Sequence, residues 1–233
     1  MRERILVPAA LPDLDAALLR RLLAAPHGVD AAGDHGFADD GETAAFPANG
    51  RALKPAAVLV LFIDRPGGPT MLFTQRTAHL TDHAGQISFP GGRVEDGDAH
   101  VTETALRETR EETGIDVSAI EVLGELPYYT TGTGYRITPV VAWSPAVSAY
   151  QPDPTEVSEC FEVPVQFLTD VRNHRIEQAM YKGRLRSYYA IPYLQRYIWG
   201  ATAGMLVSLT RVLYAGLGID AGPPVRAAAD SGG

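Results

Sequence analysis

The chain predicts an α+β fold, with one principal domain over residues 51–218. Three observations carry this. Ala57-Val58-Leu59-Val60-Leu61-Phe62-Ile63 is an unbroken apolar run, as in a strand buried on both faces. Residues 99–113 and 195–217 have helical length and pattern. Strands and helices otherwise mix without a regular βαβ repeat, which favours an α+β or three-layer sandwich over a doubly wound sheet.

Residues 1–50 have a composition of their own. Within 11–25, Leu14, Leu18, Leu19, Leu22 and Leu23 fall at helical spacing behind Asp13, which predicts an amphipathic helix packed on the main domain. Residues 31–50, rich in Gly, Ala and acidic side chains, read as a flexible linker. His27 and His35 lack the compact spacing of a metal-ligand pair.

Residues 55–64 predict a first strand and 70–77 a second, joined through Arg65-Pro66-Gly67-Gly68 as a hairpin. A short strand at 86–89 leads into Pro90 and two glycines. After the 99–113 helix, 120–126 and 137–143 read as strands, with a Thr- and Gly-rich loop at 128–135 between them. Residues 144–155, with three prolines, read as loop. Residues 156–168 read as a short helix followed by Val163-Pro164-Val165. Residues 178–191 read as a hairpin turning at Lys182-Gly183, 195–217 as the last helix, and 219–233 as a disordered tail.

The stretch with chemical content runs from Gly91 to Ile115. Asp98 suits a helix N-cap and Gly114 a C-terminal stop. At about 100° per residue, Glu108, Glu111 and Glu112 share one arc of the intervening helix. Like charges at that spacing, near a negative helix end, destabilise an isolated helix. Their retention points to a cation, and Mg²⁺ takes carboxylate oxygens while keeping waters and substrate phosphates as further ligands. Arg107 stands beside the cluster, placed to orient Glu111 or a neighbouring carboxylate. The alternative is a solvated acidic face. Against it stand the Gly91-Gly92 turn, where backbone can approach a ligand, and the weak apolar stripe of Leu106 with Thr102, Thr109 and Thr113.

These residues resemble the Nudix box: Gly92 at its opening glycine, then Arg107, Glu108, Glu111, Glu112, Gly114 and Ile115. The chain departs from the pattern at Asp98, which stands for the first Glu, in the eight residues between Asp98 and Arg107 in place of seven, and at Thr109, which replaces an aliphatic residue. The first two departures are shared by a subgroup resembling coenzyme A pyrophosphatases. That subgroup's upstream signature is matched by Leu72-Phe73-Thr74-Gln75-Arg76 and by residues 81–92, with Thr81 where an arginine is expected. The resemblance covers roughly residues 55 to 215.

The resemblance implies an α/β/α sandwich with a mixed sheet, and Mg²⁺-dependent (or Mn²⁺-dependent) hydrolysis of coenzyme A or acyl-CoA to 3′,5′-ADP and phosphopantetheine. The metal set is then Glu108, Glu112 and Glu111, with the carbonyl of Gly91 or Gly92. Asp98 and Arg107 complete the catalytic group, and Glu111 leads as general base with Glu156 and Glu159 as alternatives. Arg76, His83, Gln86, Arg93 and Arg136 are candidates for holding the anionic substrate, each alternatively a surface or strand-edge group; Tyr128 and Tyr129 suit either adenine stacking or core packing.

A net charge of -8 disfavours nonspecific nucleic-acid or anionic-membrane binding. The single cysteine, Cys160, excludes an intramolecular disulfide and reads as a small buried hydrophobe. No secretory signal is visible, and the apolar stretch 197–210 is too short to span a bilayer. A soluble, cytoplasmic protein with a small-molecule nucleotide substrate is expected. Oligomeric state stays open, a homodimer among the options. Competing readings are a hydrolase of ADP-ribose, a dinucleotide, a sugar nucleotide or capped RNA, and a noncatalytic nucleotide-binding module.

Overall fold

The computed structural model describes residues 11–34, 52–78, 85–147, 149–181 and 183–226. Its elements in chain order are α1 (Ala16–Ala24), β1 (Ala32–Gly33), β2 (Lys54–Ile63), β3 (Thr70–Arg76), β4 (Ile87–Ser88), β5 (Gly91–Arg93), α2 (Val101–Thr113), β6 (Glu121–Glu125), β7 (Tyr129–Thr130), β8 (Tyr135–Ser144), β9 (Val157–Pro164), α3 (Val165–Leu168), β10 (Arg175–Tyr181), β11 (Arg184–Tyr193), β12 (Arg196–Trp199), α4 (Ala201–Gly216) and β13 (Val225–Arg226). The main sheet is mixed. It runs β1-β7-β8-β2-β3-β4, with β5 on β2, β6 on β8 and β9 on β3.

The apolar run in β2 explains the layering. Ala57, Leu59, Leu61 and Ile63 face one core with Leu72, Val140 and Ala142, covered by α2 through Ala105. Val58, Val60 and Phe62 face the other, covered by α1 and α4 through Leu19, Leu22, Leu206, Leu209 and Leu213. The period-2 alternation of a strand thus feeds both cores of an α/β/α sandwich. β2 and β8 pair in parallel from Lys54–Tyr135 to Ile63–Ser144. The expected β2–β3 hairpin closes only at Phe62–Met71 and Ile63–Thr70. Beyond that point β4 replaces β2 beside β3 and β5 replaces β3 beside β2, while β9 pairs with β3 along its other edge throughout.

Several expectations are corrected. Residues 157–164 form a strand, not a helix, because they find a partner in β3 from Thr70–Pro164 to Arg76–Val157. The last helix begins at Ala201, since Tyr197-Ile198-Trp199 pairs with β11 and Gly200, at φ 65°, turns the chain. The first residues read as linker are held to the sheet: Ala32–Gly33 pairs with β7, and Asp34 accepts from Tyr129 Oη (2.8 Å) and the Gly132 N–H (2.6 Å); residues 35–50 of that reading lie outside the described residues. In the tail, Val225–Arg226 pairs with β10. The β10–β11 turn falls where expected, at Gly183 with φ 76°.

Candidate active site

The helix α2 ends as read: Gly114 is left-handed at φ 70°, and its N–H bonds Arg110 O at 2.9 Å. A Cβ there would also lie 2.6 Å from Gln151 O. Its start is corrected. His100, not Asp98, is the N-cap, and it makes no side-chain cap bond. Asp98 instead reaches Arg107, accepting from Nε at 3.1 Å and Nη2 at 2.9 Å, while also accepting from Thr104 Oγ1 (2.9 Å) and the Glu95 N–H (3.0 Å). The Arg107 bonds, with the Glu95 N–H next, hold the Asp98 carboxyl well below the usual carboxylate range. Arg107 also donates to Glu108 (3.0 Å), Glu111 (3.2 Å) and the Arg93 carbonyl (3.2 Å). It therefore ties the loop before α2, the strand β5 and two box glutamates into one piece.

β5 lies against α2 by close backbone contact. A Cβ on Gly92 would come 2.4 Å from the Glu108 carboxyl, so that glycine makes room for the glutamate. The bonds Leu59 N to Pro90 O (2.9 Å) and Val94 N to Pro55 O (3.2 Å) set the β2–β5 alternation. They commit the N–H and C=O of Gly92 to Ala57 and turn those of Gly91 outward. The Gly91 N–H lies toward the Glu112 carboxylate and favours its charged form. The register thus leaves the Gly91 carbonyl off the β2–β5 ladder and puts that of Gly92 on it.

The two inner glutamates are electrostatically strained. Glu112 is 5 % exposed. Burial first, and the Glu108 charge second, push its carboxyl up to about 8, with Arg76 and the Gly91 N–H opposing. Burial likewise raises Glu108, against the pull of Arg107. Glu111 sits at the rim, its side chain 53 % exposed. Glu156, on the loop before β9, turns its charge toward both Glu108 and Glu112. Glu159 does not: it is paired with Arg196 at 2.7 and 2.8 Å, across the sheet. Cys160 is half-buried near Glu112, and burial pushes its thiol up to about 11, as expected of an inert group. Among the described residues no three carboxylate, His or Cys side chains stand in ready coordination geometry.

The substrate candidates separate by position. Thr74 follows Leu72 by the strand period of two onto the α2 face of β3, and Arg76, beyond an irregularity in the β3–β9 register, acts on Glu112 through its charge. Thr74 Oγ1 lies 3.5 Å from Glu112 Oε2 and 3.4 Å from Ser88 Oγ. Arg76 Nε is buried without a hydrogen-bond partner among the described residues. Thr74 and Ser88 were passed over in sequence, although the alternation from Leu72 signals Thr74. Gln86 bonds through its backbone carbonyl to Arg76 N (3.0 Å), and its amide lies beside Gly200. His83 and Thr81 fall outside the described residues. Arg93 lies over the Tyr135 ring at 5.4 Å, with Lys54 at 5.8 Å from the same ring, and Arg136 lies over Tyr128 at 5.5 Å. Lys54 and Tyr135 were not picked out in sequence, since only the β2–β8 register brings them together. Tyr129 is core, packed on Gly204 and bonded to Asp34; Tyr128 is 44 % exposed.

An α/β/α sandwich that lays a glycine strand on a carboxylate-bearing helix is the framework of the Nudix hydrolases. The chain belongs to that family: the NUDIX domain model matches residues 53–182. Two curated relatives, each described as an uncharacterized Nudix hydrolase NudL, come from Escherichia coli O1:K1 / APEC and Shigella boydii serotype 18. Each is 41% identical over 156 residues, 67% of this chain and 81% of the relative. Among solved structures, a Nudix hydrolase from M. smegmatis, RenU, aligns at a TM-score of 0.42 and 22% identity, covering 49% of this chain and 73% of that one. Hydrolases of this family generally use divalent metal ions. No described helix is long and apolar enough to cross a membrane.

Proposed function

We propose that this Nudix hydrolase cleaves the diphosphate of coenzyme A or acyl-CoA, giving 3′,5′-ADP and phosphopantetheine or its acyl form. The observation that carries the reading is the joining of the upstream segment to the box: Thr74 reaches Glu112, and the Arg76 charge acts on Glu112. These contacts support reading Leu72 to Arg76, from the segment resembling the coenzyme A subgroup, as one site with the glutamates.

The residues fit a divalent cation. Glu112 and Glu108 are buried like charges whose carboxyls are driven upward, a cost that a cation removes. Glu108, Glu112 and Glu111, with the Gly91 carbonyl, would hold Mg²⁺ or Mn²⁺. Such an ion neutralises phosphate oxygens and acidifies a bound water. Asp98 and Arg107 act as positioning residues, since they fix Glu108, Glu111 and β5. Glu111 at the rim and Glu156 on the loop before β9 are the candidate bases, and Glu159 is taken up by Arg196. The base takes a proton from water, the water oxygen bonds to one phosphorus, and the bridging P–O bond breaks, leaving two phosphomonoesters. Arg76 meets the substrate's negative charge at the inner edge.

The test is turnover of coenzyme A, dephospho-coenzyme A, ADP-ribose and a dinucleoside polyphosphate with Mg²⁺, with products separated by chromatography. Coenzyme A should be the best substrate and give 3′,5′-ADP. Faster cleavage of ADP-ribose or the dinucleotide would assign the enzyme to another nucleoside diphosphate derivative. Absence of turnover on all four with Mg²⁺ or Mn²⁺ would sink the catalytic reading in favour of a binding module.

A further inference from the structure

We propose that the corner formed by Lys54, Arg93 and Tyr135 seats a phosphomonoester on the nucleotide half of the substrate, the 3′-phosphate where that substrate is coenzyme A; the assignment rests on the function proposed above. Lys54 opens β2 and Tyr135 opens β8, directly opposite each other in the parallel pair. Arg93 closes β5, opposite Ala56. The Lys54 ammonium and the Arg93 guanidinium both stand over the Tyr135 ring, at 5.8 and 5.4 Å from its centroid.

Among the described residues neither cation has a carboxylate partner; the ion pairs there use Arg20, Arg65, Arg107, Arg172 and Arg196. Two cations gathered on one ring, without a carboxylate partner among the described residues, repel each other and attract an anion. A phosphomonoester offers a second negative charge and three acceptor oxygens, enough to engage an ammonium and a guanidinium together. The ring fixes both cations and leaves them at the surface.

The backbone of the corner is tied to α2, although by strand alternation the Lys54 and Arg93 side chains lie on the face of the sheet away from Gly92. The Arg93 carbonyl accepts from Arg107 Nη2 at 3.2 Å, and the preceding Gly92 packs on Glu108. Arg76, by contrast, faces Glu112, so its charge acts at the carboxylates. The two cationic positions therefore divide the substrate's charge: Arg76 at the diphosphate, Lys54 with Arg93 at a separate phosphate.

Binding without turnover tests this. In EDTA, 3′,5′-ADP and 5′-AMP are titrated calorimetrically into wild type, Lys54→Gln and, as a distant charge control, Arg21→Gln, with circular dichroism melts to establish that each variant is folded. Wild type should prefer 3′,5′-ADP by about tenfold. Lys54→Gln should bring the two nucleotides to within about twofold, and Arg21→Gln should keep the preference. An unchanged preference in Lys54→Gln overturns the seat. So does a wild type that binds neither nucleotide or both equally, even if it hydrolyses coenzyme A, in which case the proposed function stands. A Lys54-dependent preference in an enzyme that leaves coenzyme A intact upholds the seat and overturns the coenzyme A reading.

Discussion

Glu112→Gln separates the charge of the box from its shape. The folded-state carboxyl of Glu112 lies at about 8, above its ordinary 4.5, chiefly through burial and then through the Glu108 charge. The fold therefore favours the protonated form. That contribution is complete below pH 4.5 and is lost as pH rises to about 8. At about 1.4 kcal/mol per pH unit, the interval amounts to at most about 5 kcal/mol, a large part of an ordinary domain's stability. The neutral amide keeps the volume and can still accept from the Gly91 N–H, but it cannot ionise. In EDTA, urea unfolding of wild type should lose several kcal/mol between pH 5 and pH 8, whereas Glu112→Gln should stay nearly flat and become the more stable protein at pH 8. Adding Mg²⁺ at pH 8 should recover stability in wild type far more than in the variant, and turnover in the variant should fall by orders of magnitude. Parallel pH curves for the two proteins, or equal Mg²⁺ stabilisation, would refute both the burial argument and the metal assignment.

Two further outcomes follow from contacts already described. Gly92→Ala would place a methyl group 2.4 Å from the Glu108 carboxyl; displacing that carboxylate should lower kcat/KM by about a hundredfold, read in steady-state assays beside a melt that shifts little. Deleting residues 1–50 removes α1, whose Leu19 and Leu22 are buried against α4, so thermal unfolding should move sharply downward and sedimentation should report association; a truncated protein melting with wild type would show that α1 contributes nothing to the core.

The parts legible in sequence were those with a local cause. Gly114 ends α2 because only a glycine enters the left-handed region there without strain, and the seven apolar residues from Ala57 read as a strand because both faces of β2 are buried. The parts that were missed had distant causes. Asp98 has the chemistry of an N-cap, yet Arg107, nine residues on, draws it into two hydrogen bonds. Residues 157–164 carry mixed local preferences, and the partner β3 decides for a strand. Residues 32–34 have the composition of a linker, but β7 and the groups of Tyr129 and Gly132 hold them to the sheet. Lys54 and Arg93 are thirty-nine positions apart and meet only through the ring of Tyr135.

The two glycines that open the box make the same point at smaller scale. In sequence they are interchangeable, and the motif aligns on Gly92. In the sheet they do different things, because an antiparallel strand alternates which residues bond inward. Gly92 uses its backbone on Ala57 and gives up its side-chain space to Glu108. Gly91 has no space for a side chain either, since a Cβ would lie 2.3 Å from Ala57 O, but its backbone faces α2, where its N–H lies toward Glu112. One glycine accommodates the Glu108 side chain, and the other presents its N–H toward Glu112, four residues along the same helix face. A one-residue slip of β5 on β2 would exchange these roles and bring a side chain against Glu108. The register of a three-residue strand, anchored by Pro90 on one side and Val94 on the other, is thus what sets backbone of two different kinds against two repelling glutamates.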